Sequence, residues 1–241
     1  MIGLDIFATH FKNYNDQYIV IGGAACDDLF KAQGLTFRAT KDIDLILVVE
    51  ALDNSFIELF WEFIHLGRYE RNEIAEERQY YRFINPETKN YPAQVELFSV
   101  SPGVIPEKDG IKFTPIPTDE DISSLSAILM DDDYYRFTIE QSEKNGILNR
   151  ASDVALICLK AKAFLDLSKQ KAAGKQIDSK HIKKHRNDVF RLAAVLPGNR
   201  QVDLPDSIQN DLALFIEQME KKPPDTHNMF KAMGIGTIDA G

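Results

Sequence analysis

The chain has two cysteines in 241 residues, Cys26 and Cys158, and neither belongs to a CxxC pair or a Cys/His cluster. A disulfide framework or a zinc site has no support, and both read as reduced core thiols. The histidines offer no metal-ligand spacing either. His181 and His185 stand at i,i+4, but without an HExxH glutamate or a third ligand they read as a helix surface. No stretch approaches the ~18 apolar residues of a membrane span. The start, MIGLDIFATHFKNY, shows no basic segment followed by a long apolar run, so a cytoplasmic location is expected by elimination. GxxxxGK[ST] is missing, which disfavours a P-loop kinase. Gly22-Gly23 has neither the third glycine nor the acidic ribose-binding residue of a dinucleotide fold.

The rest of the composition, 44% hydrophobic and 27% charged, is that of an ordinary globular protein long enough for one or two domains. The formal charge of -9 argues against indiscriminate attraction to nucleic acid. Its distribution is uneven: Lys160 to Arg191 holds ten Lys/Arg against three Asp, a local +7. Such a strip can focus on phosphate, or it can be an ordinary solvated helix surface.

Hydrophobic periodicity orders the elements. A short amphipathic helix is expected at 4–14, then a strand at 18–21 stopped by Gly22-Gly23, then a helix over 24–31 ended by Gly34. A second strand runs over 43–49. A helix over 55–66 turns Phe56, Leu59, Phe60, Phe63 and Ile64 inward, with Ser55 or Asn54 as its cap. Residues 78–84 and 93–100 read as a hairpin. Lys112-Phe113 and Ser124 to Met130 are weaker strands, and the run Asp131-Asp132-Asp133 reads as a solvated turn before a strand-like Tyr134 to Ile139. The period then changes to helical: 153–167, 179–195 and 205–220, with a polar connection at 169–178. The expected architecture is α+β: a mixed β-sheet domain at 1–150, a helical region at 151–222 packing over the cleft, and a tail at 223–241.

Chemistry concentrates where a strand, two glycines and a helix are followed by Thr40-Lys41-Asp42-Ile43-Asp44 opening the next strand. Residues i and i+2 of a strand share a face, so Asp42 and Asp44 project together. Paired carboxylates repel unless a cation sits between them. Magnesium suits such oxygen ligands and leaves positions for water and phosphate; manganese is the alternative. Glu96, on the expected neighbouring strand, would complete a three-carboxylate set for one or two ions. Gly22 and Gly23 let backbone approach a triphosphate, and the following helix offers its unpaired N–H groups to the same anion.

The run Ile21-Gly22-Gly23-Ala24-Ala25, followed by Arg38-Ala39-Thr40-Lys41-Asp42-Ile43-Asp44-Leu45, resembles the nucleotidyltransferase superfamily, and most nearly the AbiEii/AbiGii-type toxin proteins of abortive-infection and toxin–antitoxin systems. The resemblance implies that Gly22 and Gly23 bind nucleotide phosphates and that Asp42, Asp44 and Glu96 bind magnesium. Arg38 and Thr40 sit where the group commonly carries Arg and Thr. Leu159 to Phe164 is similar to the helix whose lysine faces the nucleotide, with Lys160 the preferred match and Lys162 the second. His185 to Leu192 is similar to a later segment, which places Asp188 on its aspartate. Independently of the resemblance, the guanidinium of Arg38 or Arg186 can form paired hydrogen bonds to phosphate oxygens. Ala24, Asn187 and Arg191 depart from the pattern.

Three functions follow as expectations. The first is magnesium-dependent transfer of a nucleoside monophosphate from an NTP to RNA, a protein or a small molecule. The second is a toxin-like interaction protein neutralised by an antitoxin. The third is a nucleotide-binding protein of the same fold without catalysis.

Overall fold

The computed structural model describes residues 1–70, 80–98 and 131–235. The expected strands at 112–113 and 124–130 lie outside the described residues. The chain divides into two compact units. One comprises Met1–Asp28, the described residues of Arg38–Ile122, and Ser142–Ala151. The other comprises Leu29–Phe37, the described residues of Ser123–Gln141, and Ser152 onward. The architecture is α+β, with a mixed sheet and a helical region.

The first unit is built on six strands: β1 (Tyr18–Ile21), β2 (Asp42–Leu47), β3 (Tyr80–Ile84), β4 (Gln94–Phe98), β5 (Ser142–Asn145) and β6 (Leu148–Ala151), in the order β3-β4-β2-β1-β6-β5. β1–β2, β3–β4 and β5–β6 are antiparallel; β2–β4 and β1–β6 are parallel. Helices α1 (Leu4–His10) and α3 (Asn54–Gly67) supply an aromatic core. The rings of Phe7 and Phe11 lie 4.5 Å apart in a tilted arrangement, Phe11 lies 5.5 Å from Phe63, and Tyr18 of β1 meets Phe7 edge-on at 5.2 Å. Phe83 of β3 meets Phe60 at 5.5 Å and Trp61 at 5.9 Å. This aromatic face carries Tyr18, Val20, Leu45, Leu47, Val95, Leu97 and Phe83, the alternate residues of each strand. The opposite face therefore carries Asp42, Asp44, Glu96 and Arg82.

Several expectations are corrected. Helix α2 (Gly22–Ala32) begins at the glycines themselves rather than after them. The N-cap of α3 is Asp53, whose side chain accepts from the Phe56 N–H. Trp61 is buried in α3, while Leu59 is half-buried. Tyr134 to Ile139 is not a strand. Asp131 caps a helix, α4 (Asp132–Glu140), by accepting from the N–H groups of Asp133 and Tyr134, and the acidic first turn suits the positive end of its dipole. The β5–β6 hairpin was not anticipated. Its strands are short and polar, but Asn145-Gly146 marks the turn, with Gly146 at φ 62.

In the second unit, α5 (Asp153–Ala172) runs past the expected end at 167 and is buried on most of its circumference. It is followed by α6 (Ser179–Ala193), α7 (Asp206–Lys221) and α8 (His227–Ala232). The last lies within the tail at 223–241, where Met229 and Phe230 are buried in a short helix. Ala161, Phe164, Leu165, Val189, Phe215 and Met219 form the core that joins α5, α6 and α7. No helix among the described residues is long and apolar enough to cross a membrane.

Candidate functional site

The site is assembled where β1 passes into α2. Ile21, the last residue of β1, pairs with Asp44 of β2, and Gly22 follows at φ 65, a conformation that side chains with a Cβ rarely adopt. A Cβ on Gly22 would collide with the Asp44 carboxylate. A Cβ on Gly23 would come within 2.5 Å of Thr40 Oγ1 and 3.6 Å of Arg38 Nη2. The two glycines are thus the condition under which Asp44, Thr40 and Arg38 can pack against the first turn of α2. Four of the sequence-derived phosphate residues and one carboxylate meet at this corner.

The parallel register of β2 and β4 sets Asp42 beside Gln94 and Asp44 beside Glu96. Asp42 and Asp44 are half-buried, whereas Glu96 is 4% exposed. A carboxylate this far from water needs compensation. Arg82, opposite Glu96 on β3, donates from Nε to Glu96 Oε1 at 2.6 Å, and Gln94 Nε2 donates to the same oxygen at 2.9 Å. Among the described residues, no three His, Cys, Asp or Glu side chains stand close enough to one another to hold an ion. Asp42, Asp44 and Glu96 share a face without closing into a ligand set, and Glu96 is held by its guanidinium and amide partners.

These residues nevertheless suit a hard divalent cation. The donors are all carboxylate oxygens, the ligand type a hard cation takes, and Asp44 and Glu96 are strand neighbours.

The remaining candidates lie in the second unit. Lys160, 3% exposed, places Nζ 3.1 Å from Asp188 Oδ2, and Asp188 is fully buried. Arg191 Nη1 reaches Asp188 Oδ1 at 3.0 Å, with its guanidinium 6.0 Å from the centre of the Phe37 ring. The pair ties α5 to α6. Lys162, two residues on, points to another set of partners: Asp211 at 3.0 Å and Asp166 at 3.7 Å. Burial pulls the Lys162 ammonium down, but its Asp211 hydrogen bond and the charges of Asp166, Asp211 and Asp131 outweigh this and leave it above the usual lysine value. Burial lifts the Asp166 carboxyl, Lys162 offsetting part of the effect. Arg186 donates from Nε and Nη2 to Asn187 Oδ1 at 3.2 and 3.1 Å.

Arg82 and Gln94 were missed by sequence reasoning. The signal was available in the hairpin: pairing Ile84 with Gln94 forces Arg82 opposite Glu96.

A groove of about 690 Å³ lined by Ile64, His65, Arg68, Tyr69, Phe83 and Asn85, among others, lies on the aromatic side, since Phe83 points away from Arg82. It is not part of the carboxylate site. In comparisons with known proteins, no family model matches the chain, and neither a curated protein nor a solved structure matches it.

Proposed function

We propose that the corner formed by Gly22, Gly23, Arg38, Thr40, Asp42, Asp44 and Glu96 binds a nucleoside triphosphate with magnesium or manganese and transfers its nucleoside monophosphate to an acceptor. RNA, a protein and a small molecule are the acceptor classes. The observation that carries this reading is the packing of Asp44, Thr40 and Arg38 against Gly22-Gly23, with Glu96 beside Asp44 on the next strand. The nucleotidyltransferase and AbiEii/AbiGii resemblance assigns phosphate binding to Gly22 and Gly23 and metal binding to Asp42, Asp44 and Glu96, and commonly has Arg and Thr where this chain has Arg38 and Thr40.

Backbone N–H groups in the first turn of α2 take the phosphate oxygens at the positive end of the helix dipole. Arg38 adds a guanidinium fork and Thr40 a hydroxyl donor. Asp42, Asp44 and Glu96 hold the cation. Bound there, magnesium offsets the charge that builds on the phosphates during displacement. The acceptor hydroxyl oxygen bonds to the α-phosphorus as the bond to pyrophosphate breaks, and the acceptor proton passes to solvent.

The test is incubation of the full chain with each NTP, labelled at the α- or the γ-phosphate, in magnesium. Label from the α position should become attached to an acceptor, label from the γ position should appear in pyrophosphate, and Asp44→Asn should stop both. Attachment of γ-label to an acceptor, or transfer unaffected by Asp44→Asn, would overturn the reading. The Arg82–Glu96 ion pair favours a second reading, nucleotide binding without transfer. Asp44-dependent binding with no pyrophosphate release would select it.

A further inference from the structure

We propose that Arg82 is a positioning residue that competes with the divalent cation for Glu96 and so sets how tightly the site takes metal. This rests on the reading of Asp42, Asp44 and Glu96 as the metal carboxylates. Glu96 is 4% exposed and its carboxylate needs a positive partner at all times. In the structure that partner is Arg82, whose Nε lies 2.6 Å from Oε1 and whose side chain is itself 21% exposed. The contact is dictated by register: Arg82 faces Glu96 across β3–β4, and a slip of one residue would carry the guanidinium to the aromatic face. Gln94 closes on the same oxygen from the neighbouring face position of β4. Both donors converge on Oε1, so the carboxylate is oriented as well as neutralised.

An ion entering beside Asp42 and Asp44 therefore meets a resident cation on the third carboxylate. Like charges at this separation disfavour each other. Three carboxylates and one guanidinium leave a formal charge of two negatives, which a single divalent ion balances. Arg82 accordingly weakens metal binding to the protein alone, and an anionic triphosphate relieves the repulsion, so that metal and nucleotide enter together.

The experiment is a titration of the full chain with Mn2+ alone, free ion being read by its electron paramagnetic resonance signal. Arg82→Gln should bind Mn2+ about tenfold more tightly than the parent, and Arg82→Lys, which keeps the charge, should stay within about twofold of the parent. Adding Glu96→Gln to Arg82→Gln should cancel the gain. Where Arg82→Gln does not fold, Arg82→Met is read in the same way, since it keeps the unbranched stem. Affinity in Arg82→Gln equal to or weaker than the parent, or a gain that survives Glu96→Gln, would overturn the proposal. Asp44→Asn separates the two levels of the argument. Mn2+ binding that depends on Asp44 but not on Arg82 rejects only the role of Arg82. Binding indifferent to Asp44 in every variant rejects the metal site itself, and Arg82's role falls with it.

Discussion

Gly22 and Asp44 occupy one corner jointly, and neither can change without disturbing the other. Gly22→Ala forces a residue with a Cβ into φ 65 and drives that Cβ into the Asp44 carboxylate. The expected loss is about 1–3 kcal/mol of stability, read by denaturant unfolding, together with loss of the proposed nucleotide binding because Asp44 must move. An unchanged midpoint would show that the corner relaxes freely. The buried pair in the second unit behaves differently. Asp188→Ala leaves the Lys160 ammonium buried without its aspartate, a change that costs about 3–5 kcal/mol, whereas Lys162→Ala removes a half-exposed contact and should cost under about 1 kcal/mol. Equal destabilisation by the two variants would contradict this ordering. Burial pushes the Cys158 thiol up to about 12, and Cys26 is buried as well. Neither should react with iodoacetamide until the chain is unfolded. At this scale the aspartates were legible because a DxD at a strand start has one geometric meaning. Arg82 was not, because its role depends on cross-strand register rather than on sequence spacing.

Helix ends carry the next set of expectations. α4 owes its start to Asp131, and Asp131→Ala should lower stability by about 1 kcal/mol. Asp53 caps α3. The Phe56 N–H and then the Gln17 amide hold its carboxyl below the usual range, and the Lys180 N–H does the same for Asp178 at the start of α6. A depressed carboxylate adds stability above its unfolded value, and that stability is lost as the pH falls through the folded one. The gap in melting temperature between parent and Asp53→Ala should therefore be full at pH 7 and shrink below about pH 4. A gap that grows on acidification would show that the charge on Asp53 is not what caps the helix. The long periodic elements were legible for the same reason that they form: a regular apolar stripe. α4 was misread because Tyr134, Tyr135, Phe137 and Ile139 have strand-like composition, and the cap at Asp131 decides against it. β5 and β6 have no apolar alternation to find, and only Asn145-Gly146 announced them. α5 concealed the burial of Lys160 because a helix covered on most of its circumference has no polar face to count from.

Over the whole molecule, a charge of -9 repels polyanions, so the phosphate recognition we propose has to come from a built site rather than from a general field. Three of the ten cations in the basic stretch from Lys160 to Arg191 are engaged in ion pairs. Lys160 and Arg191 are paired with Asp188, and Lys162 with Asp166 and Asp211, within the second unit. Recognition should then depend on the divalent cation and on the carboxylates of the first unit. The most direct measurement is calorimetric titration of a non-hydrolysable NTP into the full chain, with magnesium or with EDTA, for the parent and for Asp42→Asn and Asp44→Asn. The account predicts binding that needs magnesium and weakens at least about tenfold, ~1.4 kcal/mol, in either variant. Binding of equal strength in EDTA, or unchanged after both aspartates are replaced, would contradict it.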